Sequence, residues 1–133
     1  MTTRVASCRC GQLRATVTGE PVRVSVCHCL DCKKRSGSAF AVQARWPVDQ
    51  CRTDGKSSTW SHRADSGNRI RHHFCPDCGS SLHYFIEGKF DGLVAIPLGA
   101  FDDPFFVSPG FSVWEERKND WVEISGEDVE HSA

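Results

Sequence analysis

The sequence lacks a charge imbalance, a long apolar run and any sustained helical periodicity, and each absence excludes a class of protein. Sixteen Lys and Arg against seventeen Asp and Glu leave a net charge of −1, too little for general attraction to nucleic acid or an anionic membrane. No stretch approaches the ~20 apolar residues of a membrane-spanning helix. Residues 1–7 carry no apolar core of a secretory signal. The expected location is therefore the reducing cytoplasm, where thiols persist and bind metal rather than pair. With 133 residues and no linker or repeat, the chain reads as one domain over residues 1–125, with 126–133 as a frayed tail.

Apolar residues recur with a period of two. Leu13, Ala15 and Val17 alternate with polar neighbours, as do Val22, Val24 and Val26, and then Phe40, Val42, Ala44 and Trp46. Further strands are expected at Leu82, Tyr84 and Ile86, at 93–98, at Phe111 and Val113, and at 121–124. Runs of this kind broken by Gly, Pro, Asp and Asn predict a mostly β, antiparallel domain with little helix. One helical turn is expected over 31–36, stopped by Gly37. Residues 51–68 read as a long polar loop around a hairpin centred on Trp60.

Cysteine carries the chemical information. Seven of the eight cysteines fall in three clusters: Cys8 and Cys10; Cys27, Cys29 and Cys32; Cys75 and Cys78. One- and two-residue spacers let neighbouring thiolates reach one ion from a single turn, the usual way of holding tetrahedral zinc. Pairing them as disulfides is geometrically awkward at these spacings. Seven ligands divide into a closed set of four, which is structural, and an open set of three, which leaves a coordination position for a substrate. Two divisions are open. A zinc-ribbon pairing joins Cys29 and Cys32 to Cys75 and Cys78 and strands Cys8, Cys10 and Cys27. The preferred pairing joins Cys8 and Cys10 to Cys75 and Cys78 and keeps the triplet intact. Cys51 stands alone and reads as an ordinary thiol. His28 is expected to point away from the metal, and His62, His72, His73 and His83 have no ligand spacing.

The ordered motifs Cys8-x-Cys10-Gly11, Cys27-His28-Cys29-x-x-Cys32-x-Lys34-x-Ser36-Gly37-Ser38-Ala39-Phe40 and Phe74-Cys75-x-x-Cys78-Gly79 resemble the glutathione-dependent formaldehyde-activating enzyme family, which also contains centromere protein V. The resemblance implies an Mss-four-like fold of small, coiled antiparallel sheets. It implies two zinc ions, one structural on Cys8, Cys10, Cys75 and Cys78 and one at Cys27, Cys29 and Cys32. The implied activity is that of a carbon–sulfur lyase joining glutathione to formaldehyde, with a small-molecule thiol and an aldehyde as partners. Glutathione carries two carboxylates, so Lys33, Lys34 and Arg35 are candidate contacts, with Ser36 and Gly37 shaping a backbone pocket. The family commonly has Gln where this chain has Lys33. The rival reading is a non-catalytic zinc module binding a protein or nucleic acid, against which stands the lack of a basic stripe interleaved with aromatics. A homo-oligomer is compatible with either reading.

Overall fold

The computed structural model describes residues 1–133. Eleven strands and one short helix succeed one another: β1 (Thr3–Ser7), β2 (Arg14–Thr18), β3 (Arg23–Cys27), α1 (Leu30–Ser36), β4 (Ala41–Pro47), β5 (Cys51–Asp54), β6 (Ser58–Arg63), β7 (Arg69–Phe74), β8 (Ser81–Ile86), β9 (Leu93–Pro97), β10 (Phe111–Val113) and β11 (Glu130–His131). They form a three-stranded sheet in the order β1-β2-β5 and an eight-stranded sheet in the order β11-β10-β3-β4-β9-β8-β7-β6. Pairing is antiparallel except at β10, which runs parallel to both β3 and β11. No helix is long and apolar enough to cross a membrane.

The alternation seen in the sequence is what closes the core. Ala15 and Val17 turn inward from β2, Val24 from β3, Ala44 and Trp46 from β4, and Val94 and Ile96 from β9, all in one buried cluster with Leu13, Leu82 and Phe101. Trp46, fully buried, packs against Phe101 with ring centroids 5.4 Å apart and planes tilted by 46°, and donates its indole N–H to the Gly19 carbonyl at 3.0 Å. Cys8 and Cys75 belong to the same cluster, so the four-thiol site sits on the core and not on a separate appendage.

Three expectations need correction. The tail over 126–133 is not frayed: Glu130 donates to the Gly110 carbonyl and Ser132 to that of Ser112, and β11 adds to the sheet edge. Because that edge of β10 is taken by β11, residues 121–124 have no ladder to join and form no strand; Val122 is buried after a turn closed on Asn119. Trp60 does not centre a hairpin. It lies within β6 opposite His72, and the chain reverses between Ala64 and Asn68.

Candidate metal centres

The first group joins the N-terminal turn to the turn between β7 and β8. One sulfur each from Cys8, Cys10, Cys75 and Cys78 lies within 4.8 Å of the others. Neighbouring sulfurs approach to 3.6 Å (Cys8 to Cys10) and 3.7 Å (Cys10 to Cys75), well beyond a disulfide bond. The backbone supplies N–H donors: Leu13 to Cys8 at 3.3 Å, and Asp77 and Cys78 to Cys75 at 3.4 and 3.5 Å. Such donors favour thiolate over thiol. The Ser80 hydroxyl, 3.4 Å from the Cys78 sulfur, is the first cause holding that thiol down at about 5. A tetrad of thiols, with Cys8 and Cys75 buried and Cys10 exposed, that receives backbone N–H groups fits zinc, and the zinc-ribbon combination is not formed.

Gln12 completes this site. Its amide nitrogen donates to the Cys75 sulfur at 3.0 Å and to the Lys56 carbonyl at 2.7 Å, while its oxygen accepts from the Lys56 N–H at 2.9 Å. The loop before β6 comes so close that a Cβ on Gly55 would meet the Gln12 carbonyl oxygen at 2.1 Å. Glycine is required there twice over, since φ is +100°.

The second group lies at the end of β3 and the start of α1. Cys27, Cys29 and Cys32 also converge within 4.8 Å. Cys29 is the N-cap of α1, its sulfur accepting from the Cys32 N–H at 3.3 Å, and Gly37 ends the helix in the left-handed conformation with φ 66°. Hydrogen bonds from Cys27, then from Cys32, hold Cys29 down at about 2; Cys27, on the donating side, is pushed up. Three thiols in a half-buried pocket fit an ion with one open position. His28 is fully buried and turned away, its Nε2 2.9 Å from the Ser112 hydroxyl.

These three thiols open into a cavity of about 330 Å³, within the range of small-ligand pockets. Its wall includes Arg23, Arg35, Arg45, Gln43, Tyr84 and Trp114. None of the three arginines has a carboxylate partner. Each guanidinium instead covers an aromatic face: Arg23 over Phe111 at 3.9 Å, Arg45 over Phe90 at 4.2 Å, and Arg35 over Tyr84 at 4.8 Å. Arg35 also reaches the Cys32 sulfur at 3.8 Å. Arg23 Nε and Gln43 Oε1 are buried without any hydrogen-bond partner, a donor and an acceptor available to a ligand. Tyr84 is buried, and that burial pushes its phenol up to about 12, so it stays neutral. Trp114 has a left-handed backbone, φ 58° and ψ 39°. For a bulky residue this costs about 1–2 kcal/mol, a strain typical of functional positions.

Of the other residues singled out in the sequence, Lys33 turns to the opposite side, donating to the Arg117 carbonyl and, at 2.6 Å, to Asn119 Oδ1. Lys34 and Gly37 are exposed, and the Ser36 hydroxyl donates back to the Cys32 carbonyl at 2.8 Å. None of these four lines the cavity. Cys51 is half-buried, and burial raises its thiol to about 11. Gln12, Arg23, Arg45 and Tyr84 escaped the sequence reading because no ligand spacing marks them: Gln12 follows Cys10 and Arg23 precedes Cys27 on β3 without belonging to a cysteine motif, while Arg45 and Tyr84 come from β4 and β8.

The fold and its two thiol groups define a small β protein organised around zinc-type sites. The chain belongs to the glutathione-dependent formaldehyde-activating enzyme family, whose model matches residues 3–117. A crystal structure of a Rhodobacter sphaeroides protein is similar, with a TM-score of 0.56 and 19% identity over 79% of this chain and 91% of the other; that likeness speaks to the fold alone. No curated protein matches the chain.

Proposed function

We propose that the protein is a lyase-type enzyme that adds a thiol of the glutathione class to a small aldehyde at Cys27, Cys29 and Cys32, with a structural zinc on Cys8, Cys10, Cys75 and Cys78. The observation that carries this reading is the three-thiol group opening into a cavity walled by Arg23, Arg35 and Arg45, none paired with a carboxylate. Family membership supports the same chemistry.

A zinc ion held by the three thiolates supplies an open position that favours a bound thiol as its thiolate or polarises a carbonyl. The chain's own residues do the rest. Arg23, Arg35 and Arg45 place guanidinium groups on the wall that suit the two carboxylates of glutathione, and a guanidinium fork holds a carboxylate in fixed orientation. Gln43 Oε1, buried and unpartnered, is an acceptor for an amide or ammonium N–H of the same ligand. Tyr84 keeps its proton and accepts from Arg45 Nη2 at 3.4 Å; its O–H is left to donate to the aldehyde oxygen. The thiol sulfur bonds to the carbonyl carbon, the carbon–oxygen π bond becomes a hydroxyl, and the thiol's proton is recovered on that oxygen. Of the family-type contacts expected in sequence, Arg35 is the one assigned to glutathione here.

The test is the exchange rate between formaldehyde and its glutathione adduct, followed by NMR with and without zinc-loaded protein. The expected result is acceleration that is lost in Cys29→Ser. Exchange no faster than in buffer would overturn the enzyme reading in favour of a non-catalytic zinc module.

A further inference from the structure

A third cluster of ligand-type side chains lies on the same cavity wall and is unrelated to any cysteine motif. His62 on β6 and His72 on β7 are diagonal neighbours across an antiparallel pair, since Trp60 faces His72 and His62 faces Ile70. Their Nε2 atoms point at one another across 3.0 Å. Asp31, in the first turn of α1, brings Oδ1 to 3.6 Å from the same His62 nitrogen. One ligand atom from each of the three residues lies within 4.8 Å of the other two.

One hydrogen bond between the imidazoles accounts for their 3.0 Å contact, but none accounts for the approach of Asp31. A neutral imidazole has one N–H, so the 3.0 Å contact uses one proton at most, and 3.6 Å is beyond a hydrogen bond to Asp31. Three ligand-type atoms therefore face one space, and only two of them are joined by a hydrogen bond. Two imidazoles and a carboxylate around a tetrahedral ion with bonds of ~2.0–2.1 Å need their donors about 3.3 Å apart, and the two measured separations bracket that value. The rings are also held. Trp60 stacks on His62 at 4.4 Å with an interplanar angle of 16°, and His62 stacks on His72 at 5.1 Å and 23°. The nearby Arg35 charge is directed at the Cys32 sulfur, 3.8 Å away.

We propose that Asp31, His62 and His72 form a third metal site, of nitrogen–oxygen type, for a borderline divalent cation such as zinc or cobalt(II). Imidazole and carboxylate suit such ions, whereas the thiol groups select softer binding. Asp31 and His72 line the cavity that holds the three thiols, so the ion's remaining positions are accessible to water or to an oxygen ligand entering that cavity. The inference needs no turnover and stands whether or not the thiol reaction occurs.

The test is cobalt(II) titration of protein already replete with zinc at its thiol groups. A further equivalent is expected, giving visible d–d absorption without new sulfur-to-metal charge transfer, lost in His62→Gln and retained in Lys34→Met. Uptake by the wild type no greater than by His62→Gln would overturn the site. A second reading avoids substitution altogether: zinc added to the wild type should shift the ring-nitrogen NMR signals of His62 and His72, and unmoved signals would equally overturn it.

Discussion

The side-chain amide of Gln12 donates to the Cys75 sulfur at 3.0 Å while its oxygen holds the Lys56 N–H at 2.9 Å. One side chain thus orients a ligand of the four-thiol site and anchors the loop beside it. Partners of this kind typically change metal affinity by about 10–100-fold when removed. Gln12→Leu should accordingly release zinc about 10–100-fold more readily in a chelator competition while retaining its β circular dichroism. Unchanged competition would show that the contact does not support the metal.

The two thiol groups should differ in what they sustain. Cys75 is fully buried within the core cluster, and structural zinc contributes on the order of 10 kcal/mol to folding. Cys75→Ser should yield no soluble folded protein, whereas Cys29→Ser should fold and lose one zinc per chain by elemental analysis. The reverse pattern would exchange the two roles.

Arg35 combines a sulfur contact at 3.8 Å with an aromatic face at 4.8 Å. If it holds a glutathione carboxylate, Arg35→Met removes a charged hydrogen bond of about 1.5–3 kcal/mol, raising KM for glutathione roughly 10- to 100-fold. Lys34→Met, on the exposed face, serves as the control and should leave KM unchanged. Equal effects in both variants would count against a role for Arg35 in binding.

His83 is buried, with Nδ1 unpartnered and its ring 4.4 Å from that of His73. Burial first, then the charges of His73 and Arg71, push it down to about 4. The unfolded imidazole takes its proton near 6.5. Between these values the unfolded chain binds more protons, so stability is complete above about 6.5 and declines as pH falls towards 4, by about 3 kcal/mol in all. His83→Phe should therefore lose less stability than the wild type between pH 6.5 and 4.5 in urea unfolding. Parallel pH slopes would refute the assignment.

The legible part of the chain was local. The period-two runs at 13–17, 22–26 and 40–46 become β2, β3 and β4, the turn at 31–36 becomes α1, and the three cysteine clusters are short-range motifs. What was hidden depends on distant partners. β7 reads as Arg-Ile-Arg-His-His-Phe, with little alternation, because it is held by strands on both sides rather than by a clean apolar face. β11 is two polar residues whose strand character comes from the edge of β10. His62 and His72 carry no ligand spacing along the chain; the β6–β7 register and the approach of α1 bring them to Asp31.

Cys10 and Cys75 are 65 positions apart, and between them lie strands whose partners are themselves remote, such as β3 with β10 and β4 with β9. A topology so rich in non-local pairings forms slowly. The four sulfurs meet only after the sheets have brought the two turns together, so an ion bound there contributes after the rate-limiting step and is lost before the chain can open. Its kinetic signature is a brake on unfolding, with the refolding rate left nearly unchanged.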